Sequence, residues 1–446
     1  MATKRYKINT FGCQMNKSDS ERIKTLLGSL GMQETEEDAQ ADLIMYNTCS
    51  VRQTAEDRIY GQMREMEKLK DAKPDLVVAV TGCMPGRDHD GKIRERMPWV
   101  DLFFPTNEMV HIARRLAEIR PEMFEGASNR EYEHYLKIAP VYSTPYSAYV
   151  PISTGCNKMC AYCVVPFARG RQVDRPVKDI VEEVKNLVAS GCLEITLLGQ
   201  TVNWYRPKDV HNFSSENPLK ISPLNYFGAL LWELNQIARL FRIHFTAPHP
   251  NHMTPDVIAG MTLPAHVNFL HLPVQSGNDE VLKRMYRPYT REQFLDVIKR
   301  VKDKLPNIAL GTDIIVGFSG ETPEQFEDTI SLYKECDFDI SYTAMYSVRS
   351  GTKAAELYKD DVEKGEKRRR WLELQKLMEQ TVLRKNHVFV GTTASVLVDH
   401  FEKGICSGNS REMKRVQFKG DASLVGTIQN VKIDRAIEWI LYGTQT

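Results

Sequence analysis

Apolar runs alternate with amphipathic stretches from the start of the chain. RYKINTFGC reads as a strand, and SDSERIKTLLGSLGM as a helix with Ser18 or Asp19 as its N-cap. ADLIMYNTCSV follows, then a helix over 55–70, the buried-strand run DLVVAVTGCM and a helix near 108–118. Apolar strands separated by helices predict a parallel sheet covered on both faces, a doubly wound α/β domain over 1–120. Residues 121–145 are polar and irregular and predict a linker. From 146 the alternation restarts with a longer period. AYVPIST, LEITLLGQ, FRIHFTA, NFLHLPV, IALGTDIIVGF and FDISYTAMYS read as six strands, with helices over 176–190, 279–284 and 290–304. Six βα units predict an open or partial barrel over 146–380, with its active site at the carboxyl ends of the strands. A charged helix over 361–386 leads into TTASVLVDHF, KRVQFKG, LVGTIQNVKI and AIEWILYG, short β segments broken by Gly and Asn. They predict a small antiparallel β-barrel over 381–446.

A chain of 446 residues exceeds one ordinary core, which agrees with several domains. Apolar content of 42% and charged content of 26% are those of a soluble globular protein. The net charge of +1 excludes global attraction to nucleic acid, so any such binding needs a local basic patch. MATKRYKINTFGC has no apolar signal core, and no segment approaches roughly 18 apolar residues. A cytoplasmic location without membrane contact is expected. In that compartment nine cysteines argue for metal or cluster chemistry over disulfides.

Six of the nine fall into two sets of three. Cys156, Cys160 and Cys163 are spaced C-x3-C-x2-C in GCNKMCAYCVV, on the loop after the first barrel strand. Thiolates are soft ligands that suit iron-sulfur clusters. Three ligands on a four-iron cluster leave one iron open to a substrate or cofactor. A structural zinc with a distant fourth ligand would explain the spacing but not the place at the barrel mouth. Cys13 in FGCQMN, Cys49 in NTCSVR and Cys83 in TGCMPG each follow a strand of the first domain. Neighbouring parallel strands end on one edge, so these thiols can converge. Cys192, Cys336 and Cys406 stand alone and read as structural.

C-x3-C-x2-C after the first strand of such a barrel resembles the radical S-adenosylmethionine (SAM) family. GCNKMCAYCVVPFARG, NTCSVR and LLGQTVN extend the resemblance over the whole chain to the radical-SAM methylthiotransferases. The resemblance implies a methylthiotransferase domain, a radical SAM core and a C-terminal TRAM domain that binds RNA. It implies two [4Fe-4S] clusters, the radical SAM cluster on Cys156, Cys160 and Cys163 and an auxiliary one on Cys13, Cys49 and Cys83. On that resemblance SAM would bind the open iron of the first cluster and yield a 5′-deoxyadenosyl radical. That radical would remove hydrogen from C2 of N6-dimethylallyladenosine at tRNA position 37. The auxiliary cluster would hold the sulfur, one SAM would methylate it, and the methylthio group would pass to the base. An external electron donor, flavodoxin-like or ferredoxin-like, and a sulfur or cluster donor protein are implied partners. Sister enzymes acting on a ribosomal-protein aspartate or on threonylcarbamoyl-adenosine tRNA carry the same six cysteines, so the chemistry alone does not choose the substrate.

By the same resemblance Tyr162, Gln200, Gln275, Ser276 and Asp313 are candidates for SAM contacts. Lys367 and Arg368, in KGEKRRRW, and Lys414 and Arg415, in KRVQFKG, are candidates for tRNA, with Arg175 and Arg349 near the barrel mouth. Phe418 is expected to pack inside the small barrel. Residues 205–224 look like an insertion that could shape the substrate pocket.

Overall fold

The computed structural model describes residues 3–50, 53–121 and 132–446. Val51 and Arg52 of NTCSVR, and 122–131 of the expected linker, lie outside the described residues. The chain divides into two compact units. The first holds Met1–Ser143, Ser153–Met159 and Cys163–Val173, and the second Thr144–Ile152, Cys160–Tyr162 and Asp174–Thr446.

In the first unit five parallel strands lie in the order Gln33–Glu34, Arg5–Phe11, Leu43–Thr48, Val77–Gly82, Leu102–Pro105. The chain reverses direction across the sheet between Arg5–Phe11 and Leu43–Thr48, the switch point where doubly wound sheets take their ligands. Strand alternation divides the core. Leu43 and Met45 pack with Ile23 and Leu27 of the helix Gln14–Ser29 and Leu116 of the helix Ile112–Ile119. Ile44 and Tyr46 pack on the other face with Ile59 and Met66 of the helix Gln53–Ala72.

Two expectations need correction here. The first helix begins at Gln14, a turn early, with Cys13 as its N-cap residue. The Cys13 backbone N–H donates to Asn16 Oδ1 at 3.2 Å. Ser18 and Asp19 are buried inside the helix, where their side chains serve Arg22 and Arg169 instead of capping. The supposed linker also carries core. Tyr135, Leu136 and Ile138 are buried against the sheet.

In the second unit the six expected strands form two parallel sheets of three. Ser147–Pro151, Glu194–Leu198 and Arg242–Phe245 make one, and Phe269–His271, Ala309–Val316 and Ile340–Met345 the other. Among the described residues Ile243 of the first sheet bridges to His266, just ahead of the strand Phe269–His271, as in an open half-barrel. The helix Lys364–His387 covers the last strand. Its Trp371 Nε1 donates to the Thr343 carbonyl at 3.0 Å, and it runs through the expected 380/381 boundary.

The C-terminal barrel is closed, in the order Thr393–Glu402, Ile405–Ser410, Arg415–Lys419, Leu441–Gln445, Ile428–Ala436. Its pairings are antiparallel except for Arg415–Lys419 with Leu441–Gln445, and Ile405–Ser410 is a strand not expected from the pattern. Phe418 is in its core. Polar clasps seat it on the half-barrel: Arg242 donates to the carbonyls of Asn409 (2.8 Å) and Ser395 (2.7 Å), and Lys414 pairs with buried Asp339 at 2.9 Å.

The 205–224 segment is bound to the covering helices. Asp209 accepts from the backbone of Val177 (2.9 Å) and Lys178 (3.1 Å) at the start of the helix Val177–Ala189. Asn217 Nδ2 donates to the Ala229 carbonyl of the next helix at 3.0 Å. Among the described residues no helix is long and apolar enough to cross a membrane.

Candidate active site

Phe11, Thr48 and Gly82 stand side by side in the register of the first sheet, so three adjacent strands end flush. Cys49 and Cys83 come next in the chain, and Cys13 two residues on. The structure thus brings the three thiols to one edge, at the switch point. Cys49 is hydrogen-bonded to both others, all three being free thiols. It is pushed well above its ordinary value by its bonds to Cys13 and Cys83 and by burial. Cys13 and Cys83 are pulled down, to about 6 and about 7, first by Cys49 and further by the charge of Arg169.

Buried amides brace this edge. Asn16 Nδ2 donates to Asn47 Oδ1 at 3.0 Å, and Asn47 Nδ2 donates to the Asn16 carbonyl (2.8 Å) and to Ser20 Oγ (2.9 Å). Both asparagines are fully buried, so breaking the set strands polar groups without water. Arg169 Nε donates to Cys83 Sγ at 3.2 Å and its Nη2 to Asp19 Oδ2 at 2.6 Å.

The donor set fits an iron-sulfur cluster. A cluster asks for soft thiolates, each on its own iron. The C-x3-C-x2-C residues offer the same soft donor type. Cys156 Sγ accepts the Lys158 N–H at 3.3 Å and Cys163 Sγ the Val165 N–H at 3.5 Å. Cys160 Sγ accepts Arg287 Nη1 at 3.4 Å. Each of the three sulfurs thus has an N–H donor against it.

Around the half-barrel, Gln200 follows the strand Glu194–Leu198, half-buried. Gln275, at φ 71°, donates its N–H to the Asp313 carbonyl at 2.9 Å. Asp313 Oδ2 meets His271 Nε2 at 3.1 Å, and His271 lies against Tyr342 with ring centroids 5.6 Å apart. Phe269, His271 and Ile340 surround Gly311, and His244 leans on Phe269. This face points away from the helix Lys364–His387, which takes the opposite side of the last strand. It is the concave face, and Asp313 and Tyr342 are open on it. The motifs did not reveal His271, His244 and Tyr342. Their signal was polar and aromatic residues at alternate positions of FLH, RIHF and ISYTAM.

Several candidates are placed elsewhere. Ser276 is fully buried, with its hydroxyl near Thr329 Oγ1 (3.4 Å) and accepting the Asn278 N–H, so it builds the turn. Tyr162 packs with Ala161, Phe318 and Tyr346 in an apolar cluster. Of the RNA candidates only Arg368 is exposed. Lys367 is buried on Asp360 and the Tyr346 carbonyl. Arg175 is buried on Glu183 and the Pro151 carbonyl, and Arg349 is buried. Lys414 is held by Asp339, and Arg415 by Asp399 at 2.6 Å and Ser407. A sequence marks a positive charge but not the carboxylate that folding brings to it.

Comparison with known proteins gives the class first. Residues 150–333 match the radical SAM superfamily, and residues 5–105 match the uncharacterized protein family UPF0004. The fold resembles the radical S-adenosylmethionine methyltransferase TsrM from Kitasatospora setae, a structure with cobalamin and a [4Fe-4S] cluster bound. The TM-score is 0.56 at 14% identity, covering 79% of this chain and 77% of that one. At the level of sequence, tRNA-2-methylthio-N(6)-dimethylallyladenosine synthase from Carboxydothermus hydrogenoformans is 40% identical over 97% of this chain and 97% of its own. The Clostridium botulinum (strain Hall) enzyme of the same name is 38% identical over 98% and 96%. The chain belongs to the tRNA-2-methylthio-N(6)-dimethylallyladenosine synthase family.

Proposed function

We propose that the protein is a radical-SAM tRNA methylthiotransferase that places a sulfur and a methyl group on C2 of N6-dimethylallyladenosine at position 37. The observation that carries this is the flush end of three adjacent strands on Cys13, Cys49 and Cys83, in a chain that also bears C-x3-C-x2-C. Cys156, Cys160 and Cys163 would hold one [4Fe-4S] cluster and Cys13, Cys49 and Cys83 the other. When bound, the clusters and SAM supply the one-electron and sulfur chemistry that an unactivated aromatic C–H requires and no side chain offers.

The chain's own residues supply position. Asn16 and Asn47 fix the thiol edge. Gln200 and Gln275, beyond the carboxyl ends of their strands, and Asp313, within the strand Ala309–Val316, would meet SAM. The open concave face with His271 and Tyr342 suits an unstacked base, which base-modifying enzymes bind out of its stack. The tRNA anticodon stem-loop, an external flavodoxin-like or ferredoxin-like electron donor and a sulfur or cluster donor are the partners, in the cytoplasm.

The test is anaerobic reconstitution of the full chain with dithionite, SAM and a stem-loop carrying dimethylallyladenosine, followed by mass spectrometry of nucleosides. A methylthio adduct is expected, and Cys49→Ala should abolish it while 5′-deoxyadenosine still forms. SAM cleavage with untouched RNA would overturn the substrate and move a ribosomal-protein aspartate to the front.

A further inference from the structure

Each cysteine set meets one buried guanidinium, and the two guanidiniums differ in charge balance. Arg169 ends the short helix Val165–Arg169, six residues after Cys163. Its partners are Cys83 Sγ at 3.2 Å and Asp19 Oδ2 at 2.6 Å, and the side chains of the ion pair are 2% and 1% exposed. Cys83 therefore faces a guanidinium whose charge a carboxylate already cancels. Arg287 is also buried. Nη1 donates to Cys160 Sγ at 3.4 Å, Nε to Tyr289 Oη at 2.9 Å, and Nη2 to the Pro273 carbonyl at 3.4 Å. Among the described residues no carboxylate pairs with it. An unpaired buried cation is expensive, so a fold that keeps one has a negative group for it to face. Of its three partners, only Cys160 is a residue that an iron-sulfur cluster would hold as a thiolate.

We propose that Arg287 and Arg169 are positioning residues that set the two reduction equilibria separately, Arg287 as a full buried charge on the Cys160 sulfur and Arg169 as a hydrogen bond to the Cys83 sulfur whose charge Asp19 offsets. The proposal rests on the cluster assignment above. Reduction adds one electron from an external donor, takes up no proton and makes the site more negative. Positive charge and N–H donors at a ligand sulfur stabilise that state and raise the potential. The unbalanced charge of Arg287 thus makes the C-x3-C-x2-C site easier to reduce, where the electron is needed to cleave SAM. The neutralised Arg169 leaves the auxiliary site harder to reduce, so electrons are sorted by charge.

The experiment is a dithionite titration followed by electron paramagnetic resonance on the reconstituted full chain. Each site is isolated by replacing the three cysteines of the other with alanine. At the C-x3-C-x2-C site Arg287→Gln should shift the reduction equilibrium at least about tenfold toward the oxidised form, about 59 mV for one electron, and Arg287→Lys should recover most of that. At the auxiliary site Arg169→Gln should lower the midpoint and Asp19→Asn, which uncovers the arginine charge, should raise it. Equal shifts for Arg287→Gln and Arg287→Lys would overturn the charge argument. So would Asp19→Asn and Arg169→Gln moving the midpoint in the same direction or not at all. Iron and sulfide content is measured on every variant. If Arg287→Gln takes up no iron, the Asp19 and Arg169 pair decides alone. If the unmodified chain assembles no clusters, the cofactor assignment falls instead, a different failure from clusters with unshifted potentials.

Discussion

Gly82 holds φ 104° and ψ −152° one residue before Cys83, in a region that only glycine occupies readily. A Cβ there would overlap the Thr48 carbonyl and lie 2.7 Å from Asn47 Oδ1. The glycine thus lets the Val77–Gly82 strand end close against its neighbour and aims Cys83 toward Cys49. Gly82→Ala adds roughly 1–3 kcal/mol of backbone strain and forces the strand ends apart. The expected result is loss of most iron and sulfide at the auxiliary site, with iron at the C-x3-C-x2-C site retained. Metal analysis of Gly82→Ala in each single-site background checks it. The neighbouring cysteines were legible because each closes an apolar strand run. Their arginine partners were not, since Arg169 lies 86 residues from Cys83 and Arg287 127 from Cys160, and no periodicity encodes such a meeting.

Elements of this chain are tied by polar contacts that the apolar pattern does not show. The helix Val177–Ala189 starts after Pro176, which has no side chain to cap it. Asp209 does so from 32 residues downstream. Asp209→Ala should cost about 1 kcal/mol, the usual worth of an N-cap, read as a lower urea midpoint with SAM cleavage intact. The half-barrel likewise buries His244, pulled down to about 3, and His266, pulled down to about 4, both first by loss of water. In the unfolded chain both take protons near pH 6.5, whereas the folded chain takes none until far lower. Their stabilisation is complete above pH 6.5 and drains away as pH falls toward 4 and then 3. Each contributes up to about 1.4 kcal/mol per pH unit in that window. Urea unfolding between pH 7 and 5 should weaken steeply, and His244→Gln should remove its share of the slope. All six half-barrel strands were legible from apolar runs. Ile405–Ser410 was not, because its sequence ICSGNS holds the Gly and Asn of a turn, and only pairing on both edges makes it a strand.

At the scale of the whole molecule, a chain of net charge +1 has to present its positive charge locally to hold RNA. Most lysines and arginines that stand out in the sequence are spent internally. Lys414 and Lys385 converge on Asp339 and fasten the C-terminal barrel and the long helix to the half-barrel. On the barrel surface Lys419 of KRVQFKG stays exposed, joined by cations that the sequence motifs did not mark. Lys432 and Arg435 are exposed on the strand Ile428–Ala436, Lys419 is exposed on its own strand, and Arg435 stacks over Tyr442 at 4.2 Å. Cations beside an aromatic ring are the composition that grips a phosphate backbone and stacks on bases. The two groups therefore separate by experiment. Arg435→Ala should weaken stem-loop binding and reduce the slope of log K against log salt by about one, with the unfolding midpoint unchanged. Lys414→Ala should leave the salt slope alone and lower the unfolding midpoint, because it strands buried Asp339 with one partner fewer. Fluorescence anisotropy across a salt series, run beside urea unfolding on both variants, reads both quantities. A reduced slope for Lys414→Ala with unchanged stability would return that lysine to the RNA surface.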